Sequence, residues 1–190
     1  MTRQRPADVP ASLAARPHDS RRGLPIPAVN EFPELPEGHD FTVINGARGI
    51  ALAAKRWCAL CAQPMGSAVA FLGGPRAAQA GNYTDPPGHP DCIRAATRLC
   101  PHIAIPHARR AKSPRTTVPS TDIAGYDYGK PDIWVMFVAQ GFSIGLEATG
   151  DGGHVPIYLP IGCQYTVVFR YDSGRLVAEK PVPARSTYRP

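Results

Sequence analysis

The chain has 190 residues and a formal net charge of +6, with 21 lysines and arginines against 15 aspartates and glutamates. This length allows one ordinary domain or two very small ones, and the excess of cations favours polyanionic partners. No apolar run approaches the roughly 18 residues of a membrane-spanning helix, and the polar first residues do not resemble a secretory signal. We therefore predict a cytoplasmic protein without a membrane partner.

Prolines interrupt the first 40 residues so often that no helical or strand period is established. Five arginines within residues 1–22 face only two acidic residues, Asp8 and Asp19. Because the residue before each proline avoids the helical conformation, this segment is expected to be extended. We predict a disordered, basic, proline-rich arm over residues 1–40.

The next segment, residues 41–105, alternates short elements with turns. Apolar runs predict strands at Phe41–Asn45 and Ser67–Leu72. Alanine and leucine content predicts a helix at Ala47–Trp57. A proline followed by an aspartate is typical of a first helical turn and predicts a second helix at Pro90–Leu99. The proline that follows this helix is expected to end it.

Two cysteine motifs flank the second of these strands. Cys58-Ala-Leu-Cys61 follows the first helix, and His89-Pro-Asp-Cys92 opens the second. Three thiolates and an imidazole are a ligand set that tetrahedral Zn²⁺ prefers, and His89 and Cys92 lie one turn apart on one helix face. A knuckle, a short β-segment and a closing helix, in that order, resemble a treble-clef zinc finger. We predict a zinc module over residues 41–105 whose ligands are Cys58, Cys61, His89 and Cys92.

Some of these cysteine assignments have alternatives. Cys58 and Cys61 could form a redox pair, but such a pair usually opens a helix after a strand, whereas this one follows a helix. Cys100 lies about two helical turns after Cys92 and could replace His89 to give four thiolates, although packing as a small apolar side chain is favoured. Cys163 is predicted to be a buried free thiol.

A basic segment follows the predicted metal module. No acidic residue occurs between Cys92 and Thr121, and residues 106–129 are expected to form a basic linker. The cations in and before this linker are candidates for contacts with the phosphates of a nucleic acid. These candidates are Arg94, Arg98, Arg109, Arg110, Lys112 and Arg115.

Residues 130–181 contain a series of apolar and β-branched runs that are typical of strands. The predicted strands are Asp132–Ala139, Ser143–Ala148, Val155–Leu159, Tyr165–Tyr171 and Leu176–Lys180. Asp172-Ser-Gly-Arg175 predicts a tight hairpin turn between the last two. The chain is thus expected to have an α+β fold, in which an antiparallel β-rich unit follows the zinc module and a loose tail covers residues 182–190.

Several strings of this sequence occur together over roughly residues 22–145. They are Arg22-Gly-Leu-Pro-Ile-Pro, Arg56-Trp-Cys-Ala-Leu-Cys-Ala-Gln-Pro-Met, Val69–Pro75, Thr84–Cys92, Leu99-Cys-Pro and the run around Trp134. In these strings the chain resembles a group of uncharacterised proteins from actinobacteria and their phages. The resemblance implies the four zinc ligands named above, and it implies no reaction.

Two functions of different classes are compatible with these features. In the first, the chain is a non-enzymatic, zinc-stabilised protein that binds nucleic acid through its basic segments. In the second, zinc is purely structural and the β-rich unit, with its proline-rich leader, docks another protein. A nuclease of the HNH type is less favoured, because no asparagine follows Asn82 and His89 is already needed for zinc.

Overall fold

The computed structural model describes residues 9–106, 130–149 and 152–183. The helices are α1 (Ala11–Ala14), α2 (Gly46–Ala54), α3 (Pro75–Ala80), α4 (Pro90–Leu99) and α5 (Pro101–Ala104), with one 3-10 turn at Ala28–Asn30. The strands are β1 (Val69–Gly73), β2 (Ile133–Ala148), β3 (His154–Asp172), β4 (Arg175–Ala178) and β5 (Val182–Pro183). The predicted mixture of helices and antiparallel strands is confirmed.

The five strands form one antiparallel sheet, in which β1, β2, β3 and β4 are neighbours in that order and β5 also pairs with β3. β1 comes from the predicted metal module, yet it pairs with β2 along its whole length, from Val69 opposite Ala139 to Gly73 opposite Val135. Its first three residues are buried. The metal module and the β-rich unit therefore share one sheet.

β2 and β3 form a hairpin of 16 and 19 residues, in place of the four separate strands that the sequence predicted there. The β2 side of the ladder runs from Ile133 to Ala148 with one register shift near its middle. From the sequence alone, the glycines in this stretch predict interruptions between shorter strands. In the structure the side chain of Ile157 fills the space over Gly145, where a Cβ would lie 3.2 Å from the Cγ1 of Ile157. Cross-strand packing thus keeps the strand continuous.

The segment that leads to His89 is fixed to two strands of the sheet. The backbone of Tyr83 exchanges two hydrogen bonds with that of Tyr158 in β3, at 3.1 and 2.7 Å. The backbone of Gly88 exchanges two with that of Ala70 in β1, at 3.0 and 2.8 Å. The sheet therefore sets the position at which the chain enters α4.

One face of the sheet packs against α4 and α5. Its buried residues form a cluster with Ile93 of α4, and they are Ala70, Trp134, Met136, Val138, Val167 and Phe169. The hydroxyl of Tyr171 links three elements. It accepts a hydrogen bond from Trp134 Nε1 at 3.2 Å and donates one to the carbonyl of Ile103 in α5 at 2.5 Å. Helix positions are therefore tied to strand positions by apolar and polar contacts.

Residues 9–40 correct the predicted disordered arm, because this part of the chain is folded. Its buried apolar side chains are Leu13, Ile26, Ala28, Val29 and Phe32. The carboxylate of Glu31 pairs with the guanidinium groups of both Arg16 and Arg48. Proline excludes helix at the preceding residue but leaves extended chain free to pack, so proline content alone does not indicate disorder. Residues 1–8 of the predicted arm lie outside the described residues.

Among the local predictions of residues 41–105, one needs correction and one helix was missed. Phe41–Asn45 contains a turn instead of a strand, because the carboxylate of Asp40 accepts hydrogen bonds from the backbone N–H and the hydroxyl of Thr42. Helix α3 was not predicted, although its Pro75 occupies a first helical position that suits proline. The proline after α4 ends that helix as predicted, since α4 stops at Leu99 and Cys100 is extended, and Pro101 also begins the short helix α5.

Most of the predicted linker and tail cannot be compared with the structure. Of residues 106–129, only Pro106 is described, and of residues 182–190 only Val182–Pro183, which forms β5. Among the helices of the described ranges, none combines the length and apolar character that a membrane crossing requires.

Candidate metal centre

Helix α2 delivers the chain to the first cysteine through a tight C-terminal cap. The N–H of Arg56 donates to the carbonyl of Ala53 at 2.9 Å. The N–H of Trp57 donates to the carbonyl of Leu52 at 2.8 Å. This pair of bonds is a Schellman motif, and it places Arg56 in the left-handed region with φ of 54°. The chain therefore reverses direction just before Cys58.

The first two cysteines lie in a small β-like knuckle. Trp57 and Pro64 form an antiparallel bridge at its base, and the N–H of Cys58 donates to the carbonyl of Gln63 at 2.8 Å. The N–H of Ala62 then donates back to the carbonyl of Cys58 at 2.9 Å, with Ala62 at a positive φ of 55°. The turn buries both of its cysteines, Cys58 and Cys61.

The other two candidate ligands come from the start of α4. His89 is the residue before the helix, Pro90 begins it, and Cys92 lies in its first turn. Gly88 permits the close approach to the knuckle, because a Cβ there would lie 3.1 Å from Cys58 Sγ and 3.2 Å from Ile93 Cδ1. Any larger residue at this position would push the two halves of the centre apart.

The structure brings Cys58, Cys61, His89 and Cys92 into one cluster, in which the ligand atoms all lie within 4.8 Å of one another. His89 Nδ1 is 3.3 Å from Cys61 Sγ and 3.8 Å from Cys92 Sγ. With metal–sulfur bonds of about 2.3 Å, tetrahedral ligand atoms lie roughly 3.5–3.8 Å apart. The cluster is therefore compatible with one bound metal ion, and it consists of the four ligands that the sequence predicted.

The imidazole of His89 is oriented by a backbone contact. Its Nε2 lies 3.0 Å from the carbonyl oxygen of Pro64, in the knuckle. A carbonyl can only accept, so Nε2 carries the proton and Nδ1 presents its lone pair to the sulfurs. Such an outer hydrogen bond is the usual way in which a ligating histidine is fixed in one tautomer. Pro64 thus contributes to the centre without contacting the ion.

The three thiols are close enough to compete for charge. Hydrogen bonds from the thiols of Cys58 and Cys92 hold the pKa of Cys61 far below its usual value. The pKa values of Cys58 and Cys92 are raised, because each donates a hydrogen bond to a neighbouring sulfur and because both are buried. A cation removes this competition by binding all three sulfurs as thiolates. Metal binding should therefore release protons and weaken as the pH falls.

Two further segments support the knuckle from outside. The N–H groups of Ala28 and Val29 donate to the carbonyls of Leu60 and Ala59, at 3.0 and 2.9 Å. A second contact comes from the approach to His89, where the carbonyl of Pro87 accepts from the N–H of Ala59 at 3.0 Å. In addition, the hydroxyl of Ser12 in α1 hydrogen-bonds to Cys61, which lowers the pKa of that thiol further. The N-terminal segment therefore belongs to the metal centre.

Sequence reasoning missed this support from the N-terminal segment. The available signal was the series of apolar residues that alternate with the prolines of residues 24–32, because disordered segments contain few apolar residues. The sequence pattern alone does not say which surface these residues cover.

The remaining cysteines lie apart from the cluster. Cys100 is half-buried at the junction of α4 and α5, where burial raises the pKa of its thiol. Cys163 lies on β3 and is only half-buried, so the prediction of a fully buried thiol needs correction. Burial also raises the pKa of Cys163. Neither belongs to the group whose ligand atoms converge.

The predicted phosphate contacts are only partly described. Arg94 and Arg98 both lie on α4, where Arg94 is half-buried and Arg98 is exposed. The other four predicted residues lie outside the described ranges, and they are Arg109, Arg110, Lys112 and Arg115. The nucleic-acid interface therefore stays a prediction.

Comparisons of the chain with protein-family models, with curated proteins and with solved structures found no match.

Proposed function

We propose that the protein is a non-enzymatic binding protein, that a zinc ion at Cys58, Cys61, His89 and Cys92 holds its fold, and that its ligand is nucleic acid. The observation that supports the zinc assignment is the convergence of these four ligand atoms within 4.8 Å. Three thiolates with one imidazole favour Zn²⁺ among the common divalent ions, and four protein ligands complete a structural site. The knuckle, β1 and α4 follow one another in treble-clef order, which is the module that we propose.

Both ring nitrogens of His89 are used in this arrangement. Nδ1 faces the sulfurs and Nε2 donates to the carbonyl of Pro64. A general base needs a free nitrogen within reach of the proton that it removes. His89 therefore suits a structural role better than catalysis, which disfavours the nuclease alternative.

The proposed partner follows from the charge pattern. Arg94 and Arg98 lie on α4 directly after the metal ligands, and the chain has no acidic residue from there to Thr121. A helix held rigidly by a metal can present its cations to a phosphate backbone in a fixed orientation, and the following basic segment can extend the contact. The likeness to actinobacterial and phage proteins adds no activity to this proposal.

Binding of the zinc-loaded full-length chain to a fluorescein-labelled DNA duplex, measured between low and physiological salt, tests the proposal. Three to five phosphate contacts give a log-log salt slope of roughly −3 to −4.5. Replacing Arg109, Arg110 and Arg115 with Ala should flatten the slope and weaken binding to unrelated sequences equally. The matched control replaces Arg170, Arg175 and Lys180 on the β3–β4 hairpin, which removes the same charge. Undetectable binding at low salt to both duplex and single-stranded DNA, or equal effects of the two triple variants, would contradict the proposal.

A second candidate function rests on a different observation. Several large apolar side chains of the strands are at least one-third exposed, and they are Ile144, Leu146, Ile161, Val177 and Val182. Exposed apolar positions on a sheet are typical of surfaces that bind other proteins. If the chain binds no nucleic acid, a protein partner at this sheet becomes the favoured function.

A further inference from the structure

The surface beside the metal centre carries an exposed aromatic ring and two neighbouring cations. Trp57, at the base of the knuckle, is 38% exposed. The ammonium of Lys55 lies 5.5 Å from the centre of the Trp57 ring. The guanidinium of Arg56 lies 5.4 Å from the centre of the Phe142 ring, on β2. Three consecutive residues thus present two cations and one indole at the surface.

These two cations differ in their pairing from other arginines of the same region. Arg16 and Arg48 pair with Glu31, and Arg22 pairs with Asp19. Within the described part of the chain, neither Lys55 nor Arg56 forms an ion pair with a carboxylate. Their positive charge is therefore available to an external anion.

The backbone at Arg56 is a second, independent observation. Its φ of 54° lies in the left-handed region, at a helix-capping position that glycine usually occupies. A non-glycine residue is strained in this conformation, and such strain is concentrated at functional sites. Glycine at this position would give a more stable fold than arginine does. The φ value alone does not require a ligand, since Ala62 in the knuckle has a similar φ of 55°, but the capping position gives Arg56 a fixed backbone from which its guanidinium, which has no carboxylate partner among the described residues, can meet an anion.

We propose that Lys55, Arg56 and Trp57 form a binding subsite for single-stranded nucleic acid, in which one unpaired base stacks on Trp57 and the neighbouring phosphates contact the two cations. This inference rests on the proposed nucleic-acid function and adds the class of ligand and the site. Bases inside a duplex are stacked on their neighbours, whereas an unpaired base can turn its flat face to an indole, so the site selects single strands over duplex. The rigid fork of Arg56 suits a phosphate, and its stacking on Phe142 holds the fork in place.

The metal centre explains why this subsite is ordered. Trp57 is directly followed by Cys58, and its backbone is bridged to Pro64, whose carbonyl also orients His89. A ring whose backbone is fixed loses little freedom when a base stacks on it. Nucleic-acid binding at Trp57 should therefore require the metal.

The test measures the anisotropy of a fluorescein-labelled 12-nucleotide oligo(dT) and of a blunt-ended duplex of 12 base pairs, with the full-length, zinc-loaded chain. Trp57→Ala should weaken oligo(dT) binding by about 5- to 150-fold, the range found when a stacking aromatic is removed. Trp57→Phe should restore most of the affinity, and the affinity of both variants for duplex should change less than twofold.

Arg56→Gly separates binding from folding. The change places glycine where the backbone favours it, so the melting temperature should stay the same or rise while oligo(dT) binding weakens. The salt slope on the single strand should fall by about 0.7 for each lost phosphate contact. Lys180→Gln, which removes an exposed cation from the end of the sheet, is the control and should leave oligo(dT) binding unchanged.

The fluorescence of Trp57 gives a second measurement. Trp134 is 9% exposed, so stacking of a base should quench only the exposed indole. Oligo(dT) should reduce the fluorescence of the wild-type chain and leave that of Trp57→Phe unchanged. If zinc-loaded Trp57→Ala binds oligo(dT) as the wild type does, the stacking site is wrong. If poly-glutamate, used in place of oligo(dT), quenches the fluorescence of Trp57 equally, the surface binds an acidic protein and the inference is also wrong.

The two proposals fail in different ways. Suppose that duplex binding depends on Arg109, Arg110 and Arg115, but that the Trp57→Ala variant binds oligo(dT) as tightly as the wild type. The proposed function is then supported and the proposed subsite is wrong. If the chain binds neither duplex nor oligo(dT), both proposals are wrong.

Discussion

The two ends of the described chain are folded by different means. Around the metal centre, in residues 9–106, the longest regular element is the 10-residue helix α4, and irregular chain is held by specific caps and loop hydrogen bonds. Across residues 133–172, β2 and β3 repeat one ladder over 16 and 19 residues. A repeating ladder tolerates the loss of a single contact, whereas a network of unique contacts depends on each of its members. The first region should therefore be the more sensitive to change, although both contribute to one sheet.

Removal of the metal should give the largest difference between the two regions. Binding of structural zinc contributes about 10–16 kcal/mol in small peptides, which is comparable to the whole stability of a domain. With a chelator, or in Cys58→Ser, we expect hydrogen-exchange protection to be lost over residues 57–65 and 87–99. Part of the protection should persist in the central β2–β3 ladder. The measurement is exchange followed by mass spectrometry.

Cys163→Ser is the control for that experiment, because Cys163 lies on β3 and outside the cluster. It should bind the same amount of zinc as the wild type and keep protection in both regions. Unchanged protection around Cys58 after complete removal of the metal would mean that packing alone folds the knuckle.

The N-terminal segment gives the next largest effect. Leu13 is 2% exposed and lies in the same apolar cluster as Cys58 and Cys61. Leu13→Ala should destabilise the protein by about 2–5 kcal/mol, because it removes buried methyl groups and leaves a cavity. Urea unfolding of the zinc-loaded protein measures this change.

Leu146→Ala is the matched variant in the hairpin. Leu146 is 68% exposed, so its truncation should change the free energy of unfolding by less than about 0.5 kcal/mol. Equal effects of the two leucine variants would show that the N-terminal segment does not contribute to the folded centre, as the sequence alone had suggested.

The predictable part of the structure is the part that local chemistry decides. The bounds of α4 follow from Pro90 and Asp91 at its start, and the four clustered ligands follow from their residue types and spacing. The hairpin turn predicted at Asp172-Ser-Gly-Arg175 is also present, and Ser173 and Gly174 both have the positive φ that such a hairpin requires. In each case the signal lies in residue types at short spacing, and the ligand cluster combines two such short motifs.

The parts that were missed depend on distant partners. Ala28 and Val29 are buried against the knuckle, yet the residues next to them in sequence do not indicate which surface they cover. The continuity of β2 through Gly145 depends on Ile157 across the ladder. The sequence does not predict the side-chain exposure that makes a patch of Lys55, Arg56 and Trp57. The contacts of the N-terminal segment with the knuckle and of Gly145 with Ile157 join residues that are distant in sequence, and local propensity carries no information about them.

The smallest effect is expected where the two regions touch. Gly49 lies inside α2, where alanine would normally stabilise a helix by about 0.5–1 kcal/mol. A Cβ at Gly49, however, would lie 3.1 Å from the hydroxyl oxygen of Tyr158 in β3 and 3.4 Å from Pro86 Cγ. Tyr158 is 1% exposed, so its ring and hydroxyl have little room to move. The same burial, with Asp85 nearby, raises the pKa of its hydroxyl to about 12.

Gly49→Ala should therefore lower the free energy of unfolding by about 1 kcal/mol instead of raising it, because the added methyl overpacks the junction. Tyr158→Phe removes the oxygen that the methyl meets, so the double variant should be more stable than the sum of the single changes predicts. Gly46→Ala, at the first position of the same helix, meets no atom within 4 Å and should be neutral or slightly stabilising. Urea unfolding of the four proteins measures the coupling. Stabilisation by Gly49→Ala equal to that by Gly46→Ala would show that α2 moves independently of β3.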